Sequence, residues 1–264
     1  MNLGLQGKLA VVTGSTAGIG LAIAAALADE GARVVINGRT EARVDAAIQI
    51  LLQHNRGAEY RGVAADLGTL GGFETLVKET PNADILVNNL GIFEVKPFLE
   101  ISDADWQRFF EVNVLSGVRL ARHYLPGMLK RNWGRIIFIS SESAQQIPAE
   151  MVHYGMTKTA QVAIARGLAE SVAGTGVTVN SVLAGPTASE GAGKFLQEMA
   201  LKQGKNPAAI EKEFFEFARP TSLLRRFATT EEVAAVVAFV ASTNAALVNG
   251  AAVRAEGGVV RSVF

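Results

Sequence analysis

The sequence has 264 residues and no cysteine. Disulfides, thiolate nucleophiles and Cys-ligated zinc are therefore excluded within this chain. It also lacks a charge surplus, with 25 basic and 25 acidic residues. The usual electrostatic ground for a nucleic acid or an anionic membrane as partner is missing. Charged residues make up only 19% against 49% apolar, which argues against disorder and for a sizeable core. Histidine is scarce, three in all, and shows no metal-ligand spacing, so no metal is expected. Unbroken apolar runs are short. Residues 9–28 and 233–253 carry no charge, but turn-forming Thr13, Gly14, Ser15, Gly18 and Gly20 cut the first, and Ser242, Asn244, Asn249 and Gly250 the second. The apolar run at 9–12 is too short for a signal peptide. These absences lead to the expectation of a soluble, cytoplasmic protein with elements buried on both faces.

What is present is alternation. Short β-branched runs recur at 9–13, 33–37, 60–64, 85–88, 135–140, 177–183 and 251–255, without polar alternation, as in strands covered on both faces. Helical segments separate them at 19–30, 40–53, 103–129, 153–173 and 229–241, the last with Thr230 ahead of the acidic Glu231 and Glu232. No repeat or linker divides the chain. The reading is one α/β domain over 1–264, a doubly wound parallel sheet of about seven strands with helices on both faces. Such sheets bind ligands at the carboxyl ends of their strands, so chemistry is sought just after each one.

After the first strand stands Thr13-Gly14-Ser15-Thr16-Ala17-Gly18-Ile19-Gly20, followed by a helix. Glycines there permit a tight turn and close approach to a pyrophosphate, and the helix N-terminus attracts phosphate. The Thr-Gly-x-x-x-Gly-Ile-Gly spacing resembles the short-chain dehydrogenase/reductase family, whose fold is of Rossmann type. The resemblance extends through Asp66-Leu67, Asn88-Asn89-Leu90-Gly91, Leu183-Ala184-Gly185-Pro186 and Ala255-Glu256-Gly257-Gly258. Three positions depart from the family pattern. Leu90 replaces a small alanine, Ala184 a proline, and Glu256 an aspartate. The resemblance implies cofactor contacts at Gly14, Ser15, Thr16, Gly18, Ile19, Gly20, Asn37, Arg39, Asp66, Leu67, Asn89, Gly91, Gly185 and Ser189, as well as at the catalytic Tyr154 and Lys158.

Tyr154 and Lys158 stand four apart on a helix and so face one way. Ser141 precedes Tyr154 by thirteen residues, the family's interval, which selects it over neighbouring Ser140; Asn113 lies in the long preceding helix. Free tyrosine titrates at about 10, and a nearby ammonium lowers that value. The resemblance implies that Tyr154 is the acid/base, that Lys158 perturbs it and holds ribose hydroxyls, that Ser141 orients the substrate oxygen, and that Asn113 anchors a water relaying protons to Lys158. Glu142 and His153 flank these positions, and a solvated or structural role is favoured for each over substrate contact.

NAD-binding folds place an acidic residue about twenty residues after the glycine loop. Here Gly38 fills that position and Arg39 follows, a pairing suited to a 2′-phosphate, so NADP is expected over NAD. Residues 186–228 form a long amphipathic connection with Phe195, Leu196, Met199, Phe214, Phe215 and Phe217. Asn206-Pro207 reads as a helix start, with Ile210, Phe214 and Phe217 along one face. A lid with an apolar inner face is expected, over an apolar or aromatic substrate. The expected activity is NADP-dependent hydride transfer between nicotinamide and a small carbonyl compound or secondary alcohol, as in a carbonyl reductase. An NAD-dependent alcohol dehydrogenase of the same family and a non-catalytic nucleotide sensor are the competing readings. The resemblance also implies a homo-oligomer, a tetramer, paired through the helices at 103–129 and 153–173.

Overall fold

The computed structural model describes residues 2–263, with the side chains of residues 194, 195 and 198 outside the description. Among the described residues seven strands form one parallel sheet: β1 (Leu9–Val12), β2 (Arg33–Gly38), β3 (Tyr60–Ala64), β4 (Ile85–Asn88), β5 (Gly134–Ser141), β6 (Val177–Ala184) and β7 (Ala252–Ala255). Their order is β3-β2-β1-β4-β5-β6-β7, so the winding reverses between β1 and β4. In register, Val12 lies beside Ile36 on one side and Val87 on the other. Every residue of β5 and β6 is buried, as continuous apolar strands require.

Helices cover both faces. On one face Ile23 and Leu27 of α1 (Gly18–Asp29), Val44 and Leu51 of α2 (Glu41–His54), and Val233 and Val237 of α9 (Thr230–Ala241) pack on Val12, Ile36 and Val182. On the other, Leu76 of α3 (Leu70–Glu79), Leu120 and Tyr124 of α5 (Ser116–Lys130), and Ala165 and Ala169 of α6 (Val152–Ser171) pack on Val11, Leu86 and Phe138. No helix among the described residues is long and apolar enough to cross a membrane.

The elements depart from the sequence reading in informative places. Helix α3 was not expected, because Gly71 and Gly72 weaken its signal; its cap is Thr69, whose hydroxyl accepts from the Gly72 N–H at 3.1 Å. The cap of α9 is Thr229, one residue earlier than Thr230, in a reciprocal capping box with Glu232. The expected helix at 103–129 is interrupted: α4 (Asp103–Phe110) passes through a π-helical turn, Glu111–Leu115, before α5 begins. That turn carries Asn113.

Residues 186–228 contain α7 (Glu190–Gln203), α8 (Pro207–Glu213) and a second π-helical turn, Phe214–Ala218. Asn206 caps α8 as expected, accepting from the Ala209 N–H at 2.8 Å. The expected apolar stripe does not hold. Phe217 is 78% exposed, and Phe215 is buried in its place. The physical reason is the π turn, which adds a residue and moves the next inward position from i+4 to i+5. The Phe195 side chain of the expected lid lies outside the described residues.

Candidate active site

The site forms where the winding reverses. Thr13 follows β1 and its hydroxyl accepts from the backbone N–H groups of Asn89 and Leu90, both at 2.9 Å. The Asn89 amide in turn donates to the carbonyls of Thr13 and Gly14, at 2.9 and 3.1 Å. The loops after β1 and β4 thus brace one another. Gly14 and Gly18 lie at φ +60° and +57°, the left-handed region that favours glycine. At Gly20 a Cβ would come within 2.6 Å of the Gly14 carbonyl oxygen and 3.0 Å of the Ser15 Cα, so only glycine lets α1 start this close to the loop.

A cavity of about 430 Å³ opens over this loop, lined by Gly14, Thr16, Gly18, Ile19 and Gly20, by Asn37 and Arg39 after β2, by Asp66 and Leu67 after β3, and by Asn89 and Gly91. Helix α1 points its N-terminus at it. A second cavity of about 260 Å³ adjoins, lined by Ser141, Tyr154, Lys158 and Gly185. Ile19, Asn89, Gly91, Phe93 and Ser189 line both, so the two are continuous. Ser15 lines neither cavity. It is fully buried, its hydroxyl donates to Val12 O at 2.7 Å, and it accepts from the Asn37 N–H at 2.9 Å. Its side chain braces the loop. Ser189 caps α7, accepting from the Ala192 N–H at 3.3 Å.

The open glycine loop, the helix N-terminus and the shape of the joined cavities fit a dinucleotide. Gly38 has a further meaning here, since a Cβ at this position would run into the Thr16 side chain. An acidic residue here, as in NAD-binding folds, would need the Thr16 side chain to turn away. Arg39 is exposed beside the cavity with no side-chain partner among the described residues. Arg43, which sequence reasoning missed, also lines this cavity and pairs with Glu190 at 3.3 Å. Its signal was only its place one turn into α2.

Strand β5 delivers Ser141 at its last residue, and the first turns of α6 deliver Tyr154 and Lys158. Ser140 locks the two elements together by donating to Lys158 O at 2.9 Å, which separates its role from that of Ser141. Lys158 is buried and donates to Ile139 O at 2.9 Å and to Gln161 Oε1 at 3.2 Å. Burial lowers its pKa to about 8, with Glu142 opposing. Asn113 is buried and its side-chain amide is fully engaged, donating to Ile92 O and Thr157 Oγ1, both at 3.0 Å, and accepting from the Ile92 N–H at 2.8 Å. Its carbonyl accepts from Gln161 Nε2 at 2.6 Å. Gln161, unnoticed in the sequence, thus joins Asn113 to Lys158 directly.

Tyr154 lines the same cavity. Its pKa is raised, first by burial and then by the Glu142 carboxylate; a hydrogen bond from Ser141 and the charge of Arg219 pull the other way. The Lys158 ammonium, 5.5 Å from the ring centroid, is engaged with Ile139 and Gln161 and does not offset this. Glu142 is no solvated residue. It is 4% exposed and accepts from Ser141 Oγ and from Arg219 Nε, the latter at 2.9 Å. Arg219 arrives from 77 residues away and no local signal marked it. His153 points away from the cavity, fully buried with its ring 4.0 Å from that of Phe109.

The switch-point cavity and the Ser–Tyr–Lys wall beside it define an oxidoreductase of the dinucleotide-binding fold. Comparison with known proteins makes this specific: the chain belongs to the short-chain dehydrogenase family, whose model matches residues 8–200. The uncharacterized oxidoreductase YvaG of Bacillus subtilis is 49% identical over 264 residues, the full length of both chains. The D-beta-hydroxybutyrate dehydrogenase of Cupriavidus necator is 33% identical, over 97% of this chain and 99% of its own. Among solved structures, L-sorbose reductase from Gluconobacter frateurii, complexed with NADPH and L-sorbose, superposes with a TM-score of 0.94 at 32% identity over the whole of both chains.

Proposed function

We propose that the protein is an NADP(H)-dependent oxidoreductase that interconverts a small carbonyl compound and its secondary alcohol. The observation that carries this reading is the meeting of Ser141, Tyr154 and Lys158 on one cavity continuous with the glycine-loop cavity. NADP preference is supported by Gly38, which puts no carboxylate at this position, by Arg39, which has no side-chain partner among the described residues, and by the NADPH found in L-sorbose reductase. Ile92, Phe93, Met151, Phe214 and Phe227 wall the inner cavity and support an apolar or aromatic flank on the substrate.

When bound, the nicotinamide supplies or accepts the hydride. Tyr154 donates its proton to the carbonyl oxygen in reduction and takes it back in oxidation. Ser141 fixes the oxygen's position, and Lys158 holds positive charge behind the site at pH values below about 8. Asn113 and Gln161 hold Lys158 in place. Residues 186–228 act as a substrate-binding lid within a single domain. The ends of this segment are tied together, Ala188 N to Ala228 O at 2.8 Å and Ala228 N to Pro186 O at 2.9 Å. Assembly is as a homo-oligomer, which sedimentation tests.

The deciding experiment is a panel of aliphatic and aromatic ketones with NADPH and NADH, followed by nicotinamide absorbance. Turnover clearly faster with NADPH supports the reading. Equal or reversed preference sinks the cofactor assignment, and no turnover with any ketone or alcohol sinks the activity.

A further inference from the structure

The inner cavity has an apolar wall and a charged corner. Phe93, Met151, Phe214 and Phe227 belong to the wall. The corner is Glu142 and Arg219, which also line the cavity although only 4% and 8% exposed. Arg219 Nε donates to Glu142 Oε1 at 2.9 Å. Taking both charges out of water is costly, so each needs its hydrogen bonds filled. Neither is saturated. A carboxylate offers about four lone-pair sites, and Glu142 uses one on Arg219 and one on the Ser141 hydroxyl. Arg219 also donates to Ala218 O at 2.9 Å and lies 3.8 Å from Glu150 Oε1, while its Nη2 makes no hydrogen bond among the described residues.

An acceptor and a donor side by side select a hydroxyl. It can donate to Glu142 and accept from Arg219 at once. A substrate carboxylate would meet the Glu142 charge, and an ammonium the Arg219 charge. The place of that hydroxyl on the substrate follows from a contact. Ser141 Oγ and Glu142 Oε2 are hydrogen-bonded to one another, so the groups they hold stand side by side. Ser141 holds the carbonyl oxygen in the reaction proposed above. A second oxygen about 2.5–3.0 Å from it, one hydrogen-bond length, is an oxygen on the neighbouring carbon, turned to the same side.

We propose that Glu142, oriented by Arg219, is a specificity-determining residue that takes the hydroxyl of an α-hydroxy ketone, or of the vicinal diol it becomes, while the apolar wall receives the rest of the molecule. The hydroxyl also serves Ser141, which has one proton to give. By donating to Glu142 it replaces the Ser141 contact there, and the Ser141 proton turns to the carbonyl oxygen. A simple ketone brings no replacement and leaves the buried carboxylate short of a donor. In reduction the carbonyl carbon receives the hydride with its electron pair, and its oxygen receives the Tyr154 proton, which solvent restores. The neighbouring hydroxyl is unchanged.

The inference rests on the activity proposed above, and its test separates the two. Four closely matched ketones are compared with NADPH: 2-hydroxyacetophenone, 2-methoxyacetophenone, propiophenone and benzoylformate. Beside the same carbonyl they carry a hydroxyl, an oxygen without a proton, a methyl group and a carboxylate. The kcat/KM of the hydroxy ketone should exceed each of the others by about 10²-fold or more. Glu142→Gln should cut that preference about tenfold, whereas a merely structural role would lower all four ketones together. Propiophenone or the methoxy ketone reduced as fast as the hydroxy ketone overturns the proposal and leaves the activity standing. Preference for benzoylformate overturns it too, since Arg219 would then be the recognising group. If Glu142→Gln does not fold, the wild-type series decides alone. If no ketone turns over, calorimetric binding to the NADP-loaded protein decides: 2-hydroxyacetophenone should bind about tenfold or more tightly than propiophenone, and equal binding overturns the recognition.

Discussion

The two halves of the site are built in opposite ways. The outer half is made of backbone: a glycine loop, a helix N-terminus, and the Thr13–Asn89 brace between neighbouring loops. The inner half is made of side chains that meet from distant segments, Ser141 and Glu142 from the end of β5, Tyr154 and Lys158 from α6, and Arg219 from the 186–228 segment. Backbone shape tolerates no added atom, whereas side-chain chemistry tolerates the atom and fails by charge or proton. Substitutions in the two halves should therefore fail differently.

The largest effect is expected at Tyr154. Tyr154→Phe removes the proton donor and should lower kcat by about 10²–10⁴-fold, with NADPH binding, read by fluorescence, unchanged. Gly20→Val is the outer-half counterpart. Its side chain would meet Gly14 O and Ser15 Cα, which cannot step aside, so NADPH binding should be lost while the fold, read by circular dichroism, persists. A Gly20→Val protein that binds NADPH normally would break the comparison. Arg39→Ala is milder. Loss of a charged hydrogen bond of about 1.5–3 kcal/mol should raise the KM for NADPH about 10–100-fold and leave that for NADH nearly unchanged.

The smallest effect concerns stability. His153 is buried with both ring nitrogens unpartnered, and burial lowers its pKa from 6.5, outweighing Glu94 and Asp105, while Arg108 and Lys96 reinforce it. Below about pH 6.5 the unfolded chain gains a proton that the folded chain refuses. Its contribution is therefore full above pH 6.5 and declines as pH falls through the lowered folded value. His153→Phe should flatten this acid limb in chemical denaturation, and an unchanged limb would assign it to other groups.

The same contrast explains what the sequence disclosed. The strands were legible because both faces are apolar, and the glycine loop because its spacing has a local cause. Tyr154 and Lys158 were legible because one helical turn separates them. Helix α3 was hidden by its glycines, and the inward turn of Phe215 by a π turn that breaks the 3.6-residue period. Arg219 and Gln161 were invisible for another reason. An arginine 77 residues from its carboxylate has no local pattern, and a glutamine on a helix reads as a surface residue until α6 is packed against the π turn at Asn113. The sequence puts Lys158 near Tyr154 but does not show the Ile139 carbonyl that holds it.

The most direct test of the central claim follows the hydrogen itself. NADPH carrying deuterium at the transferred C4 position is incubated with the best ketone of the panel, and the alcohol is analysed by mass spectrometry and NMR. The account predicts one deuterium on the carbinol carbon with the wild-type protein and almost none formed by Tyr154→Phe in the same time. Alcohol formed without deuterium at that carbon, or labelled equally fast by Tyr154→Phe, would contradict it.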